Sequence, residues 1–194
     1  MNDIEKYYKE SLLANLCKEY KGEWQSAHGD KEKLVRLCLR QQSIPHVATF
    51  AYNGKGLTKE FVKSEYAEYI NGFTISNADG VDGYTYGLYA DWNYENELVI
   101  DKDVVHIMWT DGASVVVPKC KCPSIYVSNC SRINISGDGF NSIVMRVFDE
   151  SVVTIDDFDE NSDIIVYKYS EKAVVEIGKF CLGRVKVFNK ELKL

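Results

Sequence analysis

Oxygen-bearing side chains occupy every second position of Asp157-Phe-Asp159-Glu-Asn161-Ser-Asp163. Calcium loops use this alternation, because carboxylates and amides spaced by two residues can wrap a hard cation. The match stops there. Ser162 stands where an EF-hand needs glycine, and Lys168 stands where its bidentate glutamate belongs. A solvated acidic turn between strands uses the same residues, and that is the preferred reading. No cofactor is expected, with calcium on Asp157, Asp159, Asn161 and Asp163 as the alternative. Cys120, Cys122 and Cys130 invite zinc, which thiolates bind well, but a one-residue gap is not the familiar knuckle spacing. Cys181 or His106 would have to complete such a site from a distance. The sequence instead predicts thiols, with Cys120 and Cys122 on one side of an extended segment as small core fillers.

Tyr84, Tyr86, Tyr89, Trp92 and Tyr94 form an aromatic group with Asp79, Asp82 and Asp91 close by. Carboxylate pairs and aromatic platforms serve sugar chemistry. Tyrosine and tryptophan also favour protein interfaces, and they pack seams by combining apolar area with a polar tip. None of the histidines, His28, His46 and His106, has a serine or cysteine beside it in a nucleophile turn. Strand alternation places Asp103 and His106 on opposite faces. With no glycine-rich phosphate loop either, the reading leans away from an enzyme.

Two kinds of pattern must position these residues. Residues 1–72 read as a helical cap. Ile4, Tyr8, Leu12, Leu16 and Tyr20 recur every fourth residue, Asp30 caps a second helix carrying Leu34 and Leu37, and Thr58 caps a third carrying Val62, Tyr66 and Ile70 before Gly72. Residues 73–113 read as a Tyr/Gly-rich junction, and 114–194 as a repetitive β region. There, β-branched bursts begin at Val115, Ile125, Ile133, Ile143, Val152, Ile164, Val174 and Val185. Alternate residues within them are apolar, the period of a strand with one buried face. The bursts recur every ~10 residues, and a fixed period marks a stacked repeat.

Val147-Phe-Asp-Glu-Ser-Val-Val-Thr-Ile155 matches Lys168-Tyr-Ser-Glu-Lys-Ala-Val-Val-Glu-Ile177, and Phe148, Phe158, Tyr169 and Phe180 keep spacings of 10, 11 and 11. This pattern resembles the β-solenoid repeats of phage and prophage proteins, whose units run aliphatic, x, aromatic, Asp/Asn, x, Ser/Ala, x, Val. The likeness covers about residues 114–188. It implies a solenoid and a mobile genetic element as source, and brings no catalytic residue. The fold expected is α+β: an N-terminal helical region packed on a C-terminal β-solenoid-like stack of short strands, with an antiparallel β-sandwich as the alternative.

Composition narrows the function. The 194 residues carry 23 Lys and Arg against 29 Asp and Glu, a net charge of −6, which argues against wrapping duplex nucleic acid. Apolar runs are short and interrupted by charge, so no membrane span is expected. The opening Met-Asn-Asp-Ile-Glu-Lys has no apolar signal segment, and with six cysteines this reads as a cytoplasmic protein with reduced thiols. The expected function is non-catalytic protein binding or structure, as a virion component or an inhibitor of host defence. The partner would meet a rigid acidic surface of Asp149, Glu150, Asp156, Asp157, Asp159 and Glu160, with Tyr84, Tyr86, Tyr89 and Trp92. A carbohydrate-binding or sugar-acting protein using the Tyr84–Tyr94 region is the alternative, and a homo-oligomer is a further option.

Overall fold

The computed structural model describes residues 22–23, 25–27, 30–38, 59–70, 73–77 and 85–191. The chain divides into two compact units, Met1–Ile70 and Asn71–Leu194.

The first unit contains two described helices of substantial length, α1 (Lys31–Cys38) and α2 (Lys59–Ile70). As the sequence predicts, Asp30 caps α1: its carboxylate accepts the Lys33 amide at 3.0 Å. Leu34 and Leu37 of α1 and Val62, Tyr66 and Ile70 of α2 are buried at helical spacing. The ammonium of Lys31 joins the two helices, lying 3.1 Å from Glu65 Oε2 and 5.4 Å from the centre of the Tyr66 ring. The stripe from Ile4 to Tyr20 and the caps at Thr58 and Gly72 lie outside the described residues.

The second unit is a β-solenoid. Its strands are β1 (Phe73–Asn77), β2 (Tyr86–Ala90), β3 (Leu98–Val99), β4 (Val104–Met108), β5 (Ala113–Val117) and β6 (Ser124–Ser128). Then come β7 (Arg132–Gly137), β8 (Ser142–Val147), β9 (Val152–Ile155), β10 (Asp163–Lys168), β11 (Val174–Ile177) and β12 (Arg184–Asn189). Even-numbered strands pair with one another in a seven-stranded sheet that begins with β1, and odd-numbered strands form a five-stranded sheet in the order β11-β9-β7-β5-β3. Only β1 and β2 are antiparallel; every other pairing is parallel. That disposes of the antiparallel sandwich. Each coil contributes one strand to each sheet, and the register sets the coil length: Val104 pairs with Ser124 and Ser124 with Val144, then Ser142 pairs with Asp163 and Asp163 with Arg184.

All eight sequence-predicted strands are present. The difference lies upstream, where the stretch read as a junction already belongs to the solenoid, since β2 pairs in parallel with β4 and β3 with β5. Between the sheets runs a continuous apolar core. Its columns follow the register, as in Val105–Ile125–Met145–Val166 in one sheet and Ile133–Val153 and Ile135–Ile155 in the other. Each fully buried aliphatic side chain is worth about 1.5–3 kcal/mol relative to exposure. No coil can bury its own inward residues, so stability comes from stacking.

The corners are built with unusual backbone. Trp109, Asn129, Cys130, Asp149, Cys120 and Asp157 all have positive φ. Left-handed residues let the chain reverse direction in a few positions, and Asn and Asp tolerate them best among residues with a side chain.

Candidate interaction surface

Stacking brings corner residues one coil apart into contact. The Thr110 amide donates to Ser131 Oγ at 3.3 Å, and the Ser131 amide donates to Ser151 Oγ at 3.1 Å. All three side chains are buried. On the opposite edge, the Asn141 amide donates to buried Ser162 Oγ at 3.1 Å. These hydroxyls satisfy backbone donors that cannot reach water. Recurrence of Ser or Thr at coil spacing was the available sequence signal for them.

Asp149 belongs to this interior, which corrects its placement on an acidic surface. Its carboxylate accepts the amides of Asn129 and Cys130 and the hydroxyl of Ser151, with the last two at 2.9 and 2.7 Å. Burial raises its pKa above the usual 3.8, and those hydrogen bonds pull the other way. The neighbouring Glu150 is exposed and pairs with Lys172 at 2.6 Å.

The remaining acidic residues share the corner between β9 and β10. Asp157, Asp159 and Glu160 are exposed there and Asp156 is half-buried, while Phe158 turns inward and is buried. Asp159 accepts both the backbone and side-chain N–H of Asn161, at 2.8 and 2.9 Å, which lowers its pKa. Asp163 pairs with Arg184 at 2.8 Å. Of the four oxygen-bearing residues considered for calcium, Asp159 and Asn161 form a hydrogen-bonded turn, Asp163 an ion pair, and Asp157 is exposed beside them. Among the described residues, no three His, Cys, Asp or Glu side chains gather where they could hold a metal ion. Cys120 and Cys122 are exposed rather than core fillers, because the corner carries them out of the sheet, with Cys120 at φ 62°.

The described rings of the aromatic group are buried or partly buried. Tyr84 and the side chain of Tyr86 lie outside the described residues. Tyr89 joins the core, Trp92 is buried, and Tyr94 packs against the core, where burial pushes its phenol pKa well up. These three rings fill the first coils.

Rings that the sequence did not connect with one another form a ladder on the outer face of the seven-stranded sheet. Register aligns His106, Tyr126, Arg146, Tyr167 and Phe188. His106 stacks on Tyr126 with centroids 4.5 Å apart, the Arg146 guanidinium lies 4.9 Å from the Tyr126 centroid, and Tyr167 stacks on Phe188 at 5.7 Å. Next to this column Phe148 stacks on Tyr169 at 5.0 Å. On the outer face of the other sheet one column is polar, with Ser114, Asn134, Thr154 and Glu176 in register.

The last coil differs from those before it. Ile155 is fully buried, yet Ile177, its register partner on β11, is 55% exposed. Phe158 is 1% exposed, whereas Phe180, at the corresponding corner one coil later, is 60% exposed. Leu182, Val187 and Phe188 are also exposed. The columns of Ile177 and Val187, which are core in every earlier coil, thus end at an open apolar surface. Single exposed hydrophobic residues are ordinary, but a contiguous group marks an interaction site.

No helix among the described residues is long and apolar enough to cross a membrane. Comparison with protein-family models, curated proteins and solved structures finds no match.

Proposed function

We propose that this chain is a non-catalytic protein-binding scaffold whose β-solenoid presents a rigid contact surface at its C-terminal coil. The observation that carries this reading is the open end itself: Ile177, Phe180 and Val187 stand where the preceding coil places the buried Ile155, Phe158 and Val166, and Leu182 on the same coil is exposed as well. Covering such side chains yields free energy in proportion to the apolar area removed from water. The stacked core already holds the strands in place, so little ordering cost remains for association. The acidic corner beside this end, with Asp157, Asp159 and Glu160 exposed and Asp156 half-buried, supplies orientation and association rate through charge complementarity. The repeat resemblance points to a virion component or an inhibitor of host defence as the setting, and that setting rests on the resemblance alone.

Site-specific photo-crosslinking tests the reading. A photoreactive amino acid at Leu182 is compared with one at Asn134 in the polar outer column of the five-stranded sheet, in extracts of the source cells. Discrete adducts with another protein at position 182 and none at 134 are expected. Equal labelling at both positions, or none at 182, overturns the proposal.

A further inference from the structure

The last strand offers more than apolar area. Within the described residues β12 pairs only with β10, which leaves its other edge open. The Arg184 amide donates back to the Ser162 carbonyl at 2.8 Å, and the Lys190 amide donates to the Lys168 carbonyl at 2.8 Å. Parallel pairing alternates, so Lys186 and Phe188 also face β10. The N–H and C=O groups of Val185, Val187 and Asn189 therefore point to the open edge.

Side chains on this strand are sorted by face. Val185 and Val187 continue the inward columns, being in register with Ile164 and Val166. Arg184, Lys186 and Phe188 lie on the outer face, and Lys190 follows in the same alternation. Arg184 is paired with Asp163. Among the described residues, Lys186 and Lys190 have no ion-pair partner. In a chain of net charge −6, residues 178–191 carry Lys179, Arg184, Lys186 and Lys190 against Glu191 alone.

From this edge we infer that β12 accepts, by strand addition, an extended segment of another protein in which apolar residues alternate with Asp or Glu. The proposal rests on the protein-binding reading above and names the partner's chemistry. Main-chain hydrogen bonds to Val185, Val187 and Asn189 supply affinity. The segment's apolar residues cover Val185 and Val187, and its carboxylates stand opposite Lys186 and Lys190.

A second copy of this chain fits poorly, and the register shows why. Consider antiparallel pairing of β12 with the same strand of a second copy, inward faces kept inward. Laying Val185 on Val185 sets Arg184 against Lys186. Laying Val185 on Val187 sets Lys186 against Lys186. Laying Val187 on Val187 sets Arg184 against Lys190. Like charges directly opposite one another destabilise a pair. Lysines on an edge strand commonly guard against self-association, and here the same lysines select an acidic partner.

The test uses the whole chain and three fluorescein-labelled synthetic peptides: alternating Val-Glu, alternating Val-Lys, and the Val-Glu composition in two blocks. Anisotropy should show the alternating Val-Glu peptide binding at least about tenfold more tightly than either control. Its binding should protect the amides of Val185, Val187 and Asn189 from hydrogen exchange. The double substitution Lys186→Glu, Lys190→Glu should invert the preference toward Val-Lys. Gain of binding by the variant shows that it is folded. Equal binding of the three peptides, an unchanged preference in the variant, or amides of Val185, Val187 and Asn189 already protected without peptide overturns the proposal. If that happens while position 182 still crosslinks to another protein, the protein-binding reading survives; if both fail, both fall.

Discussion

Asp149 reaches back one full coil to Cys130, its carboxylate accepting the Cys130 amide at 2.9 Å. The adjacent Asn129 amide donates to the same group. Both residues are left-handed, so consecutive N–H groups converge as a small anion-binding nest. One side chain thereby fastens two corners of the solenoid.

Replacing that carboxylate should be costly. Asp149→Ala leaves two amides and the Ser151 hydroxyl without their acceptor in a buried site. A loss of about 2–4 kcal/mol is expected in urea unfolding, with Asp149→Asn falling between it and the parent. A change below about 0.5 kcal/mol for the alanine variant contradicts the assignment.

Phe158 and Phe180 occupy equivalent corners but different environments. Phe158→Ala removes a fully buried ring and should cost about 3–5 kcal/mol. Phe180→Ala should change stability by no more than about 0.5 kcal/mol, because its ring is exposed. Similar losses for both would mean that the last coil is covered within the chain.

Gly137 lies against Phe158. A Cβ at 137 would run into the Phe158 ring and stand 2.6 Å from Asn141 Nδ2, whereas a Cβ at Gly112 meets nothing within 4 Å. Gly137→Ala is therefore expected to lower stability by about 1–3 kcal/mol and Gly112→Ala to leave it nearly unchanged, as measured by thermal unfolding. Equal effects would remove the steric explanation.

His106 makes the fold acid-sensitive. Burial lowers its pKa from 6.5 to about 4. Between those values the unfolded chain binds the proton and the folded chain does not, so stability is full above pH 6.5 and falls as pH drops toward 4. Asp149 is shifted in the opposite sense, so the histidine contribution is read as the difference between parent and His106→Phe, which keeps the stack on Tyr126. The parent should lose more stability than the variant between pH 7 and pH 4.5; parallel curves would contradict the shift.

The eight strands from β5 to β12 were legible because alternation and β-branching are local signals, and one buried face suffices to produce them. Of the earlier strands only β4 showed, as the strand-like run around His106. Gly87, His106 and Trp109 interrupt the aliphatic pattern, and β3 spans only two residues. The helix cap at Asp30 was legible for the same local reason. Asp149 was not: beside Glu150 it reads as a solvated turn, and only contact with a corner 19 residues upstream makes it interior.

What the sequence determined alone was the repeat period, the inward set of side chains within each strand and the acidic turn at 156–160. These follow from alternation and composition. Tertiary structure decided the rest: that the strands pair in parallel, that Tyr89 and Trp92 are core, and that Ile177 and Phe180 are surface although their counterparts are buried. Burial depends on what lies one coil away, and a repeat unit carries the same residue types whether or not another unit stacks upon it.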